Sequence, residues 1–450
     1  MVQRVFNHLH ENQYGPALSI PARIDQNETL PFIACCSPGS LPFVKRALPG
    51  PSVTVLFENV DFSALELPPA ALKLREEVRE FLEAERAAGS YTPHLGHSEF
   101  DAAFTRKVAE RGWIGMTWPR RYGGQERTYL ERFVVTEELL AAAAPCAAHW
   151  FGDRQTGPSL LRHGSEFLKQ KYLPAIARGE CYFALGMSEP NSGSDLASVR
   201  TRAERVAGGW RVTGQKVWTS WAHKAHAFFV LCRTSPESGN RHEGLSQLIV
   251  ELDAPGVTVR PIRFMNGEHH FNEVFLDNVF VPDDMVVGEV GQGWKQVTSE
   301  LALERSGPER YMTTFSLLVE LVRRLGTSPD GRAQEMVGRL TARMWTLRRM
   351  SLAIALTLDP GPGDEQRAAR TTADLATEAA LVKDMGTFFE REIVDAARLL
   401  IEVEPNPDAL DTFERYLAET IVCAPISTIR GGTTQVLRTL IARRLLGPLK

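Results

Sequence analysis

Four stretches of this 450-residue chain combine residue types and spacings able to do chemistry. The first, MSEPNSGSD (187–195), packs small hydroxyl residues around Gly193 and Ser194 at the end of a strand-like run. Small residues leave backbone N–H groups free to approach a phosphate or the edge of a flat ring. A plain polar turn is the alternative. The second, KVWTS (216–220), sets Trp218 and Ser220 on one face of a strand. An indole beside a hydroxyl can line a flat aromatic ligand, and an ordinary core tryptophan explains the same pattern. The third, TSELALERSGPER (298–310), reads as helical until Gly307-Pro308 breaks it. Glu300 and Glu304 lie four apart in it. A carboxylate where a helix meets a pocket can remove a proton, whereas most helix glutamates are simply solvated. The fourth, IRGGTTQVLRTLIARRLLG (429–447), is a glycine–hydroxyl turn opening into a basic amphipathic helix, or else an N-capped terminal helix.

The elements that must position these residues follow from periodicity. Helix begins near Pro68-Pro69, with Leu74, Val78, Phe81 and Leu82 on one face of the next turns. A second helix runs from near Glu99 to before Gly112, TWPRRYGGQ (117–125) is a loop, and TYLERFVVTEELLAAAA resumes an amphipathic helix. After Tyr182 the pattern changes to short β-branched and aromatic runs separated by Gly, Pro, Asn and Asp, the signature of an antiparallel sheet. From Gly291 long helical patterns return. The expected division is an N-terminal extension over 1–58, rich in prolines that forbid a long helix, a helical domain over 59–180, a β domain over 181–290 and a helical bundle over 291–450.

Bulk composition narrows the function. A length of 450 residues calls for two or three domains. A net charge of −4 supplies no broad basic field for nucleic acid. The cysteines (Cys35, Cys36, Cys146, Cys181, Cys232, Cys423) lack metal or framework spacing and read as reduced thiols. With neither a span-length apolar run nor a secretory leader pattern, a cytoplasmic protein without a membrane span is expected.

Taken together, GMSEPNSGSD, then GWRVTGQKVWTS, then FNEVFLDNVFVPDDMVVGEVGQGW and the closing GGTTQVLRTLIARRLLG resemble the acyl-CoA dehydrogenase family over about residues 59–450. The resemblance implies an α+β, mainly α fold: an N-terminal helical domain, a middle antiparallel β domain and a C-terminal four-helix bundle. It implies FAD as cofactor, an acyl-CoA substrate, electron-transfer flavoprotein as acceptor and a homo- or hetero-oligomer. Carried onto this chain, Met187, Ser188, Gly193 and Ser194 would touch the flavin or its pyrophosphate, with Ser194 also near the pantetheine. Trp218 would stack near the isoalloxazine, Ser220 would replace a threonine that bonds the ring, and Thr433 and Gln435 would hold FAD from the terminal segment.

The chain departs from the family where the reaction is run. Many members carry the base as the glutamate of a Glu-Gly-Thr turn, and here that turn reads Gly431-Gly432-Thr433. A minority place the glutamate on the helix that begins the bundle, a position resembling Leu303-Glu304-Arg305. Glu304 is therefore the expected base, with Arg305 beside the thioester and the Gly431 N–H still available to polarise its carbonyl. A bound apolar acyl chain would exclude water and raise the glutamate pKa. The family's Arg-x-x-Phe-Gly stretch survives only as Arg323-Arg324-Leu325-Gly326, and ARLLIEVEPNPDAL (397–410) replaces its later Gln…Gly-Gly element. Both normally complete a neighbour's flavin site, which points to an unlike partner subunit. Three rival readings stay open at this level: a non-catalytic partner subunit, a same-fold flavin oxidase or monooxygenase, and a DNA-binding relative, the last opposed by the acidic balance. The acyl chain is not legible, with a lean towards branched, long or bulky groups.

Overall fold

The computed structural model describes residues 67–93, 99–236, 239–359 and 375–446, with the side chains of 299–304 outside the description. The expected extension over 1–58 lies outside the described residues, as do Cys35 and Cys36.

The first helices are α1 (Pro69–Ala87), α2 (Ala102–Glu110) and α3 (Tyr129–Ala141). α1 opens on Pro69, where a missing N–H costs nothing, and buries Leu74, Val78, Phe81 and Leu82 along one stripe. α3 begins with a capping box in which Thr128 and Glu131 satisfy each other's backbone N–H groups. The two helices are tied by Arg79, whose Nε donates to Glu138 at 2.8 Å. The loop at 117–125 is less irregular than its composition implies, holding a 3₁₀ turn at Arg120–Tyr122 and burying Trp118 and Tyr122.

α4 (Ala147–Phe151) runs into a π-helical turn at Gly152–Thr156 and continues as α5 (Gly157–His163). α6 (Glu166–Ala177) then leads to the sheet. Its strands are β1 (Phe183–Gly186), β2 (Arg202–Val206), β3 (Gly209–Ser220), β4 (Ala227–Arg233), β5 (Leu245–Glu251), β6 (Val257–Arg263), β7 (His269–Pro282) and β8 (Val286–Val287). The spatial order is β6-β7-β3-β2-β4-β5-β8, with β1 added beside β4. β2–β3, β3–β7, β4–β5, β5–β8 and β6–β7 are antiparallel. β1 and one Arg202–Arg233 pair run parallel to β4, so the sheet is mixed at that point. Parallel entry follows from a crossover: β1 and β4 are separated by the β2–β3 hairpin rather than by a tight turn.

The remaining helices are α7 (Gly293–Glu304), α8 (Phe315–Leu325), α9 (Gly331–Leu358), α10 (Ala376–Leu400), α11 (Thr412–Cys423) and α12 (Thr434–Leu446). α7 ends at Glu304 itself, three residues before Gly307, rather than running on to the Gly-Pro pair. One core joins the N-terminal helices to the sheet, exemplified by Tyr172 packed edge-on against Phe183 at 5.0 Å. A second core, built on Leu317, Leu318, Leu321, Leu347, Phe389 and Ile393, holds the C-terminal helices. Arg348 of α9 donates to Glu137 of α3 at 2.6 Å and links the bundle to the first helices.

Candidate active site

A cavity of about 2000 Å³ opens where the π turn, the β1 end, the β3 end, α7 and the 424–443 segment converge. Typical small-ligand pockets are roughly 300–1,000 Å³, so this one has room for more than one extended ligand. The walls contain Met187, Ser188, Gly193, Ser194, Trp218, Ser220, Arg305, Gly431, Thr433 and Gln435. These sequence-nominated residues lie on four separate stretches of chain and meet in one place. Glu304 is the last residue of α7, directly before Arg305, and its side chain lies outside the described residues.

The 187–195 turn is fixed from beneath. Lys216, fully buried on β3, donates to Glu189 at 2.8 Å and to the Met187 carbonyl at 3.1 Å. Burial pushes the Glu189 carboxyl up, but Lys216 and hydrogen bonds from the Arg200 and Thr201 amides outweigh it and hold it below the usual carboxylate range. Glu189 and Ser192 exchange backbone hydrogen bonds of 2.8 and 3.0 Å, closing the turn. Past that closure Gly193 faces open space: a Cβ there would meet no atom within 4 Å.

Trp218 is placed by a distortion. Between Lys216 and Thr219 the β3–β7 register slips, and Trp218 takes φ +60°, a left-handed conformation that a bulky residue rarely adopts. The indole stands 56% exposed, braced edge-on by Phe271 at 5.9 Å. An aromatic held out of the core by a bulge fits the platform expected for a flat ring. Ser220, partly exposed two residues on, lines the same cavity. With the Gly193 opening and the bracing of the 187–195 turn, the donor set fits a planar, phosphate-bearing cofactor.

On the opposite side, Gly431 and Gly432 adopt φ +67° and +98°. Arg305, 5% exposed, donates from Nε to the Gly431 carbonyl at 3.0 Å. A Cβ on Gly432 would lie 3.1 Å from the Arg305 guanidinium, so the glycine makes room for that contact. Thr433 accepts the Val436 N–H at 3.3 Å and caps α12, leaving Gln435 exposed on its first turn.

Several cavity residues were not singled out from sequence. Arg154, in the π turn, donates to Glu309 at 2.9 Å and lies 4.5 Å over the Trp150 ring. Burial opposes the Glu309 charge, yet Arg154, Arg132 and Arg310 keep its carboxyl below the usual range. Glu390 of α10 is 1% exposed and receives the Thr313 N–H at 3.1 Å, with Arg430 at 3.7 Å. Burial pushes its carboxyl up despite those partners. A π turn leaves no mark in a 3.6-residue period, and Glu390 looks like any polar residue of an amphipathic helix. The available signal was the dense charge of 304–310.

Fold and site together define a flavin-type dehydrogenase architecture, and the comparisons agree. Residues 68–180 match the model of the acyl-CoA dehydrogenase N-terminal domain, and 184–279 that of the middle domain. Acyl-CoA dehydrogenase IpdE1 of Mycobacterium tuberculosis is 35% identical over 393 residues, covering 83% of this chain and 97% of that protein. Acyl-CoA dehydrogenase FadE34 of the same organism is 35% identical over 348 residues, covering 76% of this chain but 45% of its own length. The solved structure named Tcur3481-Tcur3483 steroid ACAD superposes with a TM-score of 0.70 at 28% identity, covering 87% of this chain and 100% of that one. The chain belongs to the acyl-CoA dehydrogenase family: it is an oxidoreductase acting on acyl-CoA, with FAD as its cofactor. Among the described residues no helix is long and apolar enough to cross a membrane.

Proposed function

We propose that the chain catalyses α,β-dehydrogenation of an acyl-CoA thioester to the trans-2-enoyl-CoA, with Glu304 as the base. The observation that carries this reading is the junction at the end of α7. Glu304 ends the helix, and Arg305 behind it is hydrogen-bonded at 3.0 Å to the glycine turn where many relatives carry their base. A carboxylate lost from the turn is thereby available from the element bonded to it.

In this reading Met187, Ser188, Gly193, Ser194, Trp218, Ser220, Thr433 and Gln435 hold FAD, which when bound accepts the hydride equivalent from the β-carbon. The Gly431 N–H donates to the thioester carbonyl and makes the α-proton more acidic. Glu304 takes that proton, and Arg305 keeps the turn and the base in register. Ser194 steadies the pantetheine. Electrons leave to an electron-transfer flavoprotein. The domain divisions at 58, 180 and 290 belong to the same proposal, as does a cytoplasmic location.

The size of the cavity and the similarity to a protein named steroid ACAD favour a bulky, ring-containing acyl group. The test is reduction of the FAD-loaded enzyme by a panel of straight, branched and polycyclic acyl-CoAs. Glu304→Gln is expected to slow reduction by the best of them about 10²–10⁴-fold, the usual worth of a positioned base. Unchanged reduction in that variant removes Glu304 from the role.

A further inference from the structure

One face of α10 carries Lys383, Thr387 and Glu390, spaced four and three residues apart, each about 1% exposed. Buried polar groups at that spacing on a bundle helix demand partners, since a buried donor or acceptor left unsatisfied keeps its full desolvation cost. Their partners are on the strap that leads into the glycine turn. Lys383 Nζ donates to the Ser427 carbonyl at 2.6 Å, and Thr387 Oγ1 donates to the same oxygen at 3.1 Å. One turn further along, Glu390 faces Arg430 at 3.7 Å, while its other oxygen takes the Thr313 N–H at 3.1 Å. Arg430 also reaches the Thr313 hydroxyl at 3.4 Å. From the other side Arg305 donates to the Gly431 carbonyl at 3.0 Å. The strap is thus gripped at 427 and 430 from α10, and at 431 from the residue that follows α7, on both sides of the Gly431 N–H.

We infer that the Lys383–Thr387–Glu390 stripe is a positioning device that aims the Gly431 N–H at the substrate carbonyl, with the Glu390–Arg430 contact setting its final orientation. This rests on the reading of Gly431 as the carbonyl donor. Two consecutive positive-φ glycines can swing their peptide planes freely, so a donor placed there needs outside restraint. Glu390 and Arg430 line the cavity, yet in this assignment neither takes the α-proton.

The experiment compares two ligands on the FAD-loaded enzyme: the enoyl-CoA product of the best substrate in the panel, and an S-alkyl-CoA ether of the same carbon skeleton, which lacks the carbonyl. Wild type is expected to bind the thioester at least tenfold more tightly. Glu390→Gln is expected to reduce that preference about fivefold or more, with ether affinity within twofold of wild type and FAD content unchanged. Arg430→Met, at a side chain 23% exposed and so more easily replaced than Glu390, gives the same loss, and the double variant is no worse than either single one. Equal weakening of both ligands, or an unaltered preference, overturns the positioning role. Loss of flavin reduction in Glu390→Gln as complete as in Glu304→Gln overturns it too, by making Glu390 the base. A wild type that does not distinguish thioester from ether refutes instead the carbonyl-donor reading of Gly431.

Discussion

The reacting groups of this enzyme depend on residues that were never candidates for chemistry. Trp218 reaches the cavity only because β3 gains a residue between Lys216 and Thr219, and Lys216 itself is spent on Glu189 beneath the 187–195 turn. Near the π turn the same economy makes a neutral histidine. His149 is buried, lies 3.0 Å from the Thr105 hydroxyl, and burial, opposed by Asp153 and reinforced slightly by Arg132, lowers its pKa to about 4. The unfolded chain binds that proton near pH 6.5 and the folded protein only near pH 4, so the contribution is fully present above pH 6.5 and lost as the pH falls towards 4. For His149 it is on the order of 3 kcal/mol. Urea unfolding between pH 7 and 4 should show stability declining with acid, and His149→Gln should flatten the decline. Identical slopes for the two proteins would refute this assignment.

At the scale of elements, close approach decides which helices can meet. Gly386 lies on α10 where a Cβ would come within 2.2 Å of the Arg310 carbonyl, so this helix packs backbone to backbone against the segment that follows α7. Gly386→Ala should force the two apart, costing about 1–3 kcal/mol as overpacking does. A thermal midpoint several degrees lower is the expected reading, and an unchanged midpoint would mean that the contact yields without strain. Such packing also explains what sequence could convey. The stripe Leu74–Val78–Phe81–Leu82 was legible because a helix with one buried face repeats its apolar residues at its own period, and the β runs because short β-branched and aromatic segments are punctuated by turn residues. The motif residues Met187, Gly193, Trp218, Gly431 and Thr433 were legible as a set because their order along the chain resembles a family, and they do share one cavity. Arg154, Thr313, Glu390 and Arg430 were not. Their meaning comes from long-range pairs such as Arg154–Glu309, and nothing in a local window records a partner 155 residues away. The parallel pairing of β1 was hidden likewise, because pairing direction depends on where the chain has travelled between strands.

At the scale of the whole molecule, the cavity wall and the outer surface raise one question together. Trp218 is 56% exposed, and Ile429, beside the glycine turn, is 63% exposed. On α10, Met385 and Phe388 are exposed on the face opposite the buried polar stripe. Apolar groups of this size, lining the cavity as Trp218 and Ile429 do or standing on an outer helix face as Met385 and Phe388 do, are costly to leave wet and mark a surface that a ligand or a partner covers. The sequence elements that usually complete a neighbour's flavin site are altered at 323–326 and 397–410, which favours an unlike subunit over a second copy as the cover. Binding that occurs only in the folded state adds stability as RT ln(1 + [L]/Kd), so FAD and partner should report on each other. The chain purified alone is expected to hold substoichiometric FAD by its visible spectrum. Co-expression with an unlike acyl-CoA dehydrogenase subunit should bring the content up towards full occupancy of the sites this chain lines and raise the thermal midpoint in step. Full FAD occupancy in the chain alone, running as a homo-oligomer by light scattering, would show that two copies suffice. The altered segments would then be substitutions that the flavin site absorbs within one kind of subunit.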